Sequence, residues 1–137
     1  MLAAFVAVTA LAAAPAPSLV DCPRTLGVEQ KAVSLPVGWS AADDGSPHRL
    51  AGVTFFDGPP AELASLKYDE TAPADMEWTG IWHFGPNPRE FWIACSFSGT
   101  SLVLSRRLPA EVKVCRVTYA QERGEGPVGD IETIDCR

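Results

Sequence analysis

Two histidines, His48 and His83, four cysteines and two adjacent carboxylate pairs are the side chains from which chemistry would have to be built. A metal or acid–base site draws first on histidine. His48 follows the turn cluster Asp43-Asp44-Gly45-Ser46-Pro47 and reads as an exposed loop residue. His83 falls in a strand and reads as half-exposed, with contact to a partner as its functional alternative. Asp43-Asp44 and Asp69-Glu70 are sequence neighbours, and neighbours in extended chain point to opposite faces, so neither forms an acid–base pair by itself. Ser98-Gly99-Thr100-Ser101 lacks the Gly-x-Ser-x-Gly setting of an esterase nucleophile and reads as a turn. No glycine-rich phosphate loop follows a strand. An enzyme would need a constellation gathered around His83 or from scattered carboxylates, and no spacing in the chain displays one. The sequence therefore predicts no catalytic residue, no cofactor and no metal site.

Cys22, Cys95, Cys115 and Cys136 are read as two disulfides. Zinc sites favour close cysteine pairs, and the nearest pair here is twenty residues apart. Cys95 and Cys115 are expected on the outer strands of a three-strand meander, about 10 Å apart, beyond the reach of a disulfide at roughly 7 Å. Cys115 and Cys136 lie on consecutive strands. The favoured pairing is therefore Cys115–Cys136 with Cys22–Cys95.

Disulfides need an oxidising compartment, and the first residues supply a route to one. Leu2 to Ala14 is uncharged and almost wholly apolar, too short for a membrane span and of signal-peptide length. Small residues follow, and cleavage is expected between Ala13 and Leu19, where Ala16-Pro17-Ser18 before Leu19 fits the small-x-small rule. No Lys or Arg precedes the apolar run. Asp21 before Cys22 does not suit a lipid-anchor site, so the chain is expected to carry no membrane anchor. The reading is a signal peptide over 1–18 and one mature domain over 19–137, exported to the periplasm or beyond. A formal net charge of −6 argues against a nucleic-acid binder and against docking on an anionic membrane surface. At 47% hydrophobic residues the chain is not disordered.

The positioning elements are mainly β, in an α+β chain with one short helix. Twelve prolines and eleven glycines punctuate the sequence. Val28–Leu35 is a weak strand candidate and Arg49–Phe56 a stronger one, rich in β-formers. Pro60 could open a helix through Lys67 with Leu63 and Leu66 facing inward. Tyr68–Asp75 reads as a loop. Glu77–Phe84, Phe91–Phe97, Ser101–Arg107 and Val112–Tyr119 read as strands joined by short turns, followed by a Gly124–Gly129 loop and a last strand, Ile131–Cys136. Short connections predict an antiparallel meander, sandwich-like and stapled by the two disulfides. Alternation assigns Trp78, Trp82, Phe84, Phe91, Ile93, Cys95, Phe97, Leu102, Leu104, Cys115, Val117 and Tyr119 to the core face. The mixed face carries Ile81, His83, Trp92, Ala94 and Arg116. The four tryptophans, Trp39 included, read as core or half-core. Tryptophan is also enriched at binding hot spots, which makes Trp92, with His83 and Arg116, the candidate contact set.

One larger pattern runs through the chain: Cys22-Pro23, Pro36-Val37-Gly38-Trp39, Phe56-Asp57-Gly58-Pro59-Pro60 with Leu66, Phe91-Trp92-Ile93-Ala94-Cys95, Gly99-Thr100-Ser101, Leu108-Pro109, Val114-Cys115 and Ile134-Asp135-Cys136. It resembles a family of small exported proteobacterial proteins first noted as a hypothetical protein of Salmonella Typhi. The resemblance spans nearly the whole mature chain and departs mildly at Leu66-Lys67-Tyr68-Asp69, where the family pattern leads one to expect a proline. Members sit near genes for type VI secretion effectors that attack peptidoglycan. The resemblance thus implies a non-enzymatic periplasmic immunity protein whose partner is a cognate effector or hydrolase, and it transfers no catalytic residue. An acidic inhibitor would steer onto a basic toxin. The competing expectation is an envelope structural or small-ligand-binding module.

Overall fold

A computed structural model describes residues 12–121 and 126–137 of the chain. Most of the apolar leader, and the first residues of the expected Gly124–Gly129 loop, lie outside the described residues. Among the described residues nine strands follow in order: β1 (Thr25–Leu26), β2 (His48–Asp57), β3 (Ser65–Leu66), β4 (Glu70–Ala74), β5 (Glu77–His83), β6 (Phe91–Phe97), β7 (Val103–Arg107), β8 (Val114–Ala120) and β9 (Ile131–Cys136). β6 and β9 coincide with the strands read from the sequence.

The strands form two antiparallel sheets. One has the order β1-β2-β6-β7 with β3 added on β2, the other β4-β5-β8-β9. The chain is thus a disulfide-stapled sandwich, and its strands do not follow one another as a single meander. β6–β7 and β8–β9 are hairpins, but β5 crosses to β6 in the opposite sheet and β7 crosses to β8. Both crossings are proline-bearing: Pro86 and Pro88 in the first, Pro109 in the second. Proline has no N–H to give a ladder, so pairing stops there and the chain can leave the sheet. The deeper reason is burial. A single sheet with so aromatic a face would have nothing of its own to cover it, whereas two sheets cover each other.

That shared interior is aromatic. Phe55 of the first sheet lies 4.9 Å from Trp82 and 5.4 Å from Phe84, centroid to centroid. Tyr68 meets Trp78 edge-on at 5.0 Å, and Phe84 meets Phe91 at 5.0 Å. Phe55, Ile93, Val117, Cys115 and Cys136 are the most deeply buried side chains. Gly80 makes room between the two tryptophans of β5, since a Cβ there would come within 2.9 Å of the Trp82 ring and 3.0 Å of the Trp78 ring. Trp82 Nε1 donates to the Leu66 carbonyl at 3.1 Å, which satisfies the one polar atom of a buried indole.

Both expected disulfides are present. Cys115 and Cys136 face each other across β8 and β9, with Cα atoms 4.1 Å apart. Cys22 reaches Cys95 of β6 with Cα atoms 5.9 Å apart. The expected reason for separating Cys95 from Cys115 is corrected: they stand in different sheets, not on the outer strands of one meander.

The segment before β1 laces the sandwich shut. Leu19 N donates to the Cys136 carbonyl, and Leu50 N donates to the Arg24 carbonyl, so consecutive turns of one strap bond opposite sheets. The Arg24 guanidinium adds bonds to the carbonyls of Ile131 and Glu132.

Several local expectations are corrected. The helix expected over Pro60–Lys67 is a single 3-10 turn, Pro60–Glu62, closed by Leu63 in the left-handed region at φ 59. The chain then returns as β3, because β2 offers an unpaired edge and backbone hydrogen bonds there outweigh local helix preference. Leu63 is consequently exposed, while Leu66 packs on the core. The expected loop Tyr68–Asp75 contains β4, a fully exposed edge strand paired with β5. Val28–Leu35 forms no strand. Leu102 and Leu104 are exposed instead of buried, because the second sheet does not cover the edge at β7. Ile81 and Ala94, expected on the mixed face, are buried. Trp39, expected in or near the core, is 73% exposed.

Candidate protein-binding surface

Trp92 stands on the outer face of the first sheet. Its cross-strand neighbours are Phe56 on β2 and Arg107 on β7. The Arg107 guanidinium lies over the indole, 5.8 Å from its centroid. Glu90 holds that guanidinium, with contacts at 2.9 and 3.1 Å. A partner arriving here would meet a half-buried Trp92 overlaid by the exposed Arg107–Glu90 pair, not a bare aromatic.

His83 and Arg116 occupy the other sheet. His83 ends β5; its backbone N–H donates to Asp69 at 2.7 Å, and its Nε2 lies 3.5 Å from Glu70. Arg116 on β8 sits between Ile81 and Asp135 in the register. Thr79 and Thr118 share a hydroxyl hydrogen bond at 2.9 Å in the next row. His83 was expected beside Trp92 on one mixed face. The sandwich separates them: Trp92 looks outward from one sheet, His83 and Arg116 outward from the other, so no flat partner covers all three.

His48 is the first residue of β2, and its Nδ1 lies 2.7 Å from the Ser98 carbonyl. A carbonyl only accepts, so Nδ1 carries the proton in this bond, and His48 serves to pin the β6–β7 turn. Tyr119 is buried, and burial pushes its hydroxyl pKa up. Among the described residues, no three of His, Cys, Asp or Glu gather as a metal-ligand group. No described helix is long and apolar enough to cross a membrane.

The most unusual surface lies between β1 and β2. Every residue from 29 to 47 is exposed. These include Val33, Leu35, Val37 and Trp39, four large apolar side chains at alternate positions. Trp39 N donates to the Pro36 carbonyl at 3.2 Å, closing a turn in which Gly38 takes φ 85, a conformation open to glycine. The base of the loop is clamped by one carboxylate. Asp43 accepts from the Gln30 amide at 2.7 Å through one oxygen and from the Gly45 amide at 3.0 Å through the other. These two bonds, the Gln30 bond foremost, hold the Asp43 carboxyl below the usual carboxylate value. Asp44 is lowered in the same way by Ser46. Between the loop and the sheet end lies an open cleft of about 1010 Å³, lined among others by Leu35, Asp43, His48 and Ser98. A smaller cleft of about 320 Å³ lies between the two proline-bearing crossings, over Phe84 and Phe91.

Sequence reasoning passed over this loop because it read Trp39 as core or half-core. The signal was nonetheless there: apolar residues at alternate positions around Pro36 and Gly38, in a stretch bounded by turn residues.

Residues 44–137 match the family described as Type VI secretion system Tli immunity protein. The chain is also similar to an uncharacterized 16.3 kDa protein in the trpG 5′ region of Azospirillum brasilense, at 30% identity over 118 residues. That likeness covers 81% of this chain and 78% of the relative. No solved structure matches.

Proposed function

This chain belongs to the Tli immunity protein family of type VI secretion systems, and from that premise we propose that it is a non-enzymatic periplasmic inhibitor of a cell-wall-targeting effector. The carrying observation is the extent of the family match, which takes in every strand from β2 to β9. Immunity proteins of this kind bind a cognate effector. Both disulfides join segments distant in sequence, which favours folding in an oxidising compartment. The apolar leader supplies the export signal in this reading. Ser18 accepts a hydrogen bond from the Cys136 amide at 2.8 Å, and this favours a cut that leaves Ser18 on the mature chain.

Inhibition by occlusion needs a surface and no reacting group. The net charge of −6 suits a basic partner, and association should slow as salt rises. Trp92 remains a candidate contact, with its Arg107 stack; His83 and Arg116 belong to a second, opposite face.

The test is co-export. A candidate effector, taken from the genes that neighbour this one, is sent to the periplasm of a susceptible host with and without it, and lysis is scored. Protection together with a 1:1 complex supports the proposal, and so does full protection by His83→Ala, which a catalytic role for that histidine would abolish. Lysis in the presence of the folded, exported protein overturns it.

A further inference from the structure

We infer that residues 31–42 form a docking finger whose side chains Val33, Leu35, Val37 and Trp39 enter an apolar, basic-rimmed cleft on the effector; the inference rests on the immunity reading above.

The first ground is excess length. Leu26 of β1 pairs directly with His48 of β2. Two antiparallel neighbours need a connection of only about two to five residues. The chain spends residues 27–47 on it, without regular structure. Long ordered loops of this kind carry binding roles more often than structural ones.

The second ground is the placement of apolar surface. Val33 and Val37 are fully exposed, Trp39 is 73% and Leu35 51% exposed. They add nothing to the core, which closes without them. Large apolar side chains recurring along one exposed segment point to a partner that covers them.

The third ground is order without packing. The Asp43 clamp to Gln30 joins the two ends of the loop, and the Pro36–Trp39 turn shapes its tip. A preshaped loop loses less conformational freedom on docking than a floppy one.

Charge selects the occupant. Glu29, Asp43 and Asp44 stand exposed at the base of the finger, against Lys31 alone within it. Surface-seeking membrane elements carry Lys and Arg beside their apolar residues, because bilayer surfaces are anionic. The base of this finger carries the opposite sign, since Glu29, Asp43 and Asp44 flank it. The finger fits a cleft whose floor is apolar and whose rim is basic.

The experiment uses the full chain and that candidate effector, purified with its catalytic residue substituted. Val33→Ser, Val37→Ser and Trp39→Ser are combined in one variant, and urea unfolding checks that its midpoint matches the parent. The expected result is affinity weakened at least 100-fold, with protection lost. Glu29→Lys should slow association several-fold at low salt, with the difference vanishing at high salt. If the parent protects and the folded triple variant binds equally well, the finger assignment is overturned and the immunity reading stands. If the parent neither binds nor protects, the immunity reading falls and takes the finger with it. Two controls name the rival occupants. Flotation of the parent, but not the variant, with phosphatidylethanolamine–phosphatidylglycerol vesicles would overturn the proposal in favour of a lipid surface. A dimer of the parent that becomes monomer in the variant would overturn it in favour of a second copy.

Discussion

Residues 18–26 and residues 29–47 are neighbours in the chain and opposites in how the fold holds them. The first segment buries Val20 and Cys22, bonds both sheets and carries a disulfide to β6. The second buries nothing and is gathered at its base by one aspartate. Both contain apolar residues. What separates them is whether a sheet edge lies within reach to receive the backbone and side chains. Apolar residues stabilise a fold only when they leave water. Those of the strap do so within the molecule, and those of the loop are free to do so elsewhere.

Breaking the strap should cost most. Replacing Cys22 and Cys95 by serine removes a link across 73 residues, worth roughly 4 kcal/mol by the chain-entropy estimate, measurable as a lower urea midpoint. The Cys115–Cys136 link spans 21 residues and should cost roughly 3 kcal/mol when removed. Equal losses for the two pairs would show that closing the strap holds no advantage over a link between adjacent strands. Val20→Ala should cost about 2 kcal/mol, from lost burial and the cavity left behind. Trp39→Ala, by contrast, should leave stability within about 0.5 kcal/mol of the parent, since the side chain is exposed. A large drop in its unfolding midpoint would erase the distinction between the two segments.

Acid should sharpen it. The Asp43 carboxyl has its folded value depressed below the ordinary 3.8 by the Gln30 and Gly45 amides. Its contribution is fully present above that ordinary value and is lost as pH falls through the depressed one. The Gln30 and Gly45 amide resonances should therefore move together in NMR spectra below pH 3.8, while the Leu19 amide, bonded to the Cys136 carbonyl, stays fixed. Trp92→Ala removes the Arg107 stack, worth about 0.5–1 kcal/mol, together with the burial of a half-buried indole, and should lower the thermal unfolding midpoint more than Trp39→Ala does.

Much of this fold was legible because its strands announce themselves. β6 is a run of aromatic and apolar residues that stops at the Ser98-Gly99 turn, and β9 starts after the Gly124–Gly129 stretch. The meander was not legible. Short proline-rich connections look alike whether the chain turns back within a sheet or crosses to another, and only packing of the aromatic faces separates the two. The β3 strand was hidden for a similar reason: Ser65-Leu66 pairs because β2 has a vacant edge, which no local preference reveals. The mixed face dissolved once two sheets replaced one, and Trp92 parted from His83 and Arg116.

From the sequence alone follow the β class, the reading of four cysteines as two disulfides, the acidic charge balance and the scarcity of histidine, because each depends on residue type or on spacing along the chain. Tertiary structure decided which apolar residues are interior. Trp78 and Trp82 are buried and Trp39 is not, although all three are tryptophans in apolar-patterned stretches. Burial depends on what the rest of the chain places opposite a side chain: a second sheet faces Trp78 and Trp82, and only water faces Trp39.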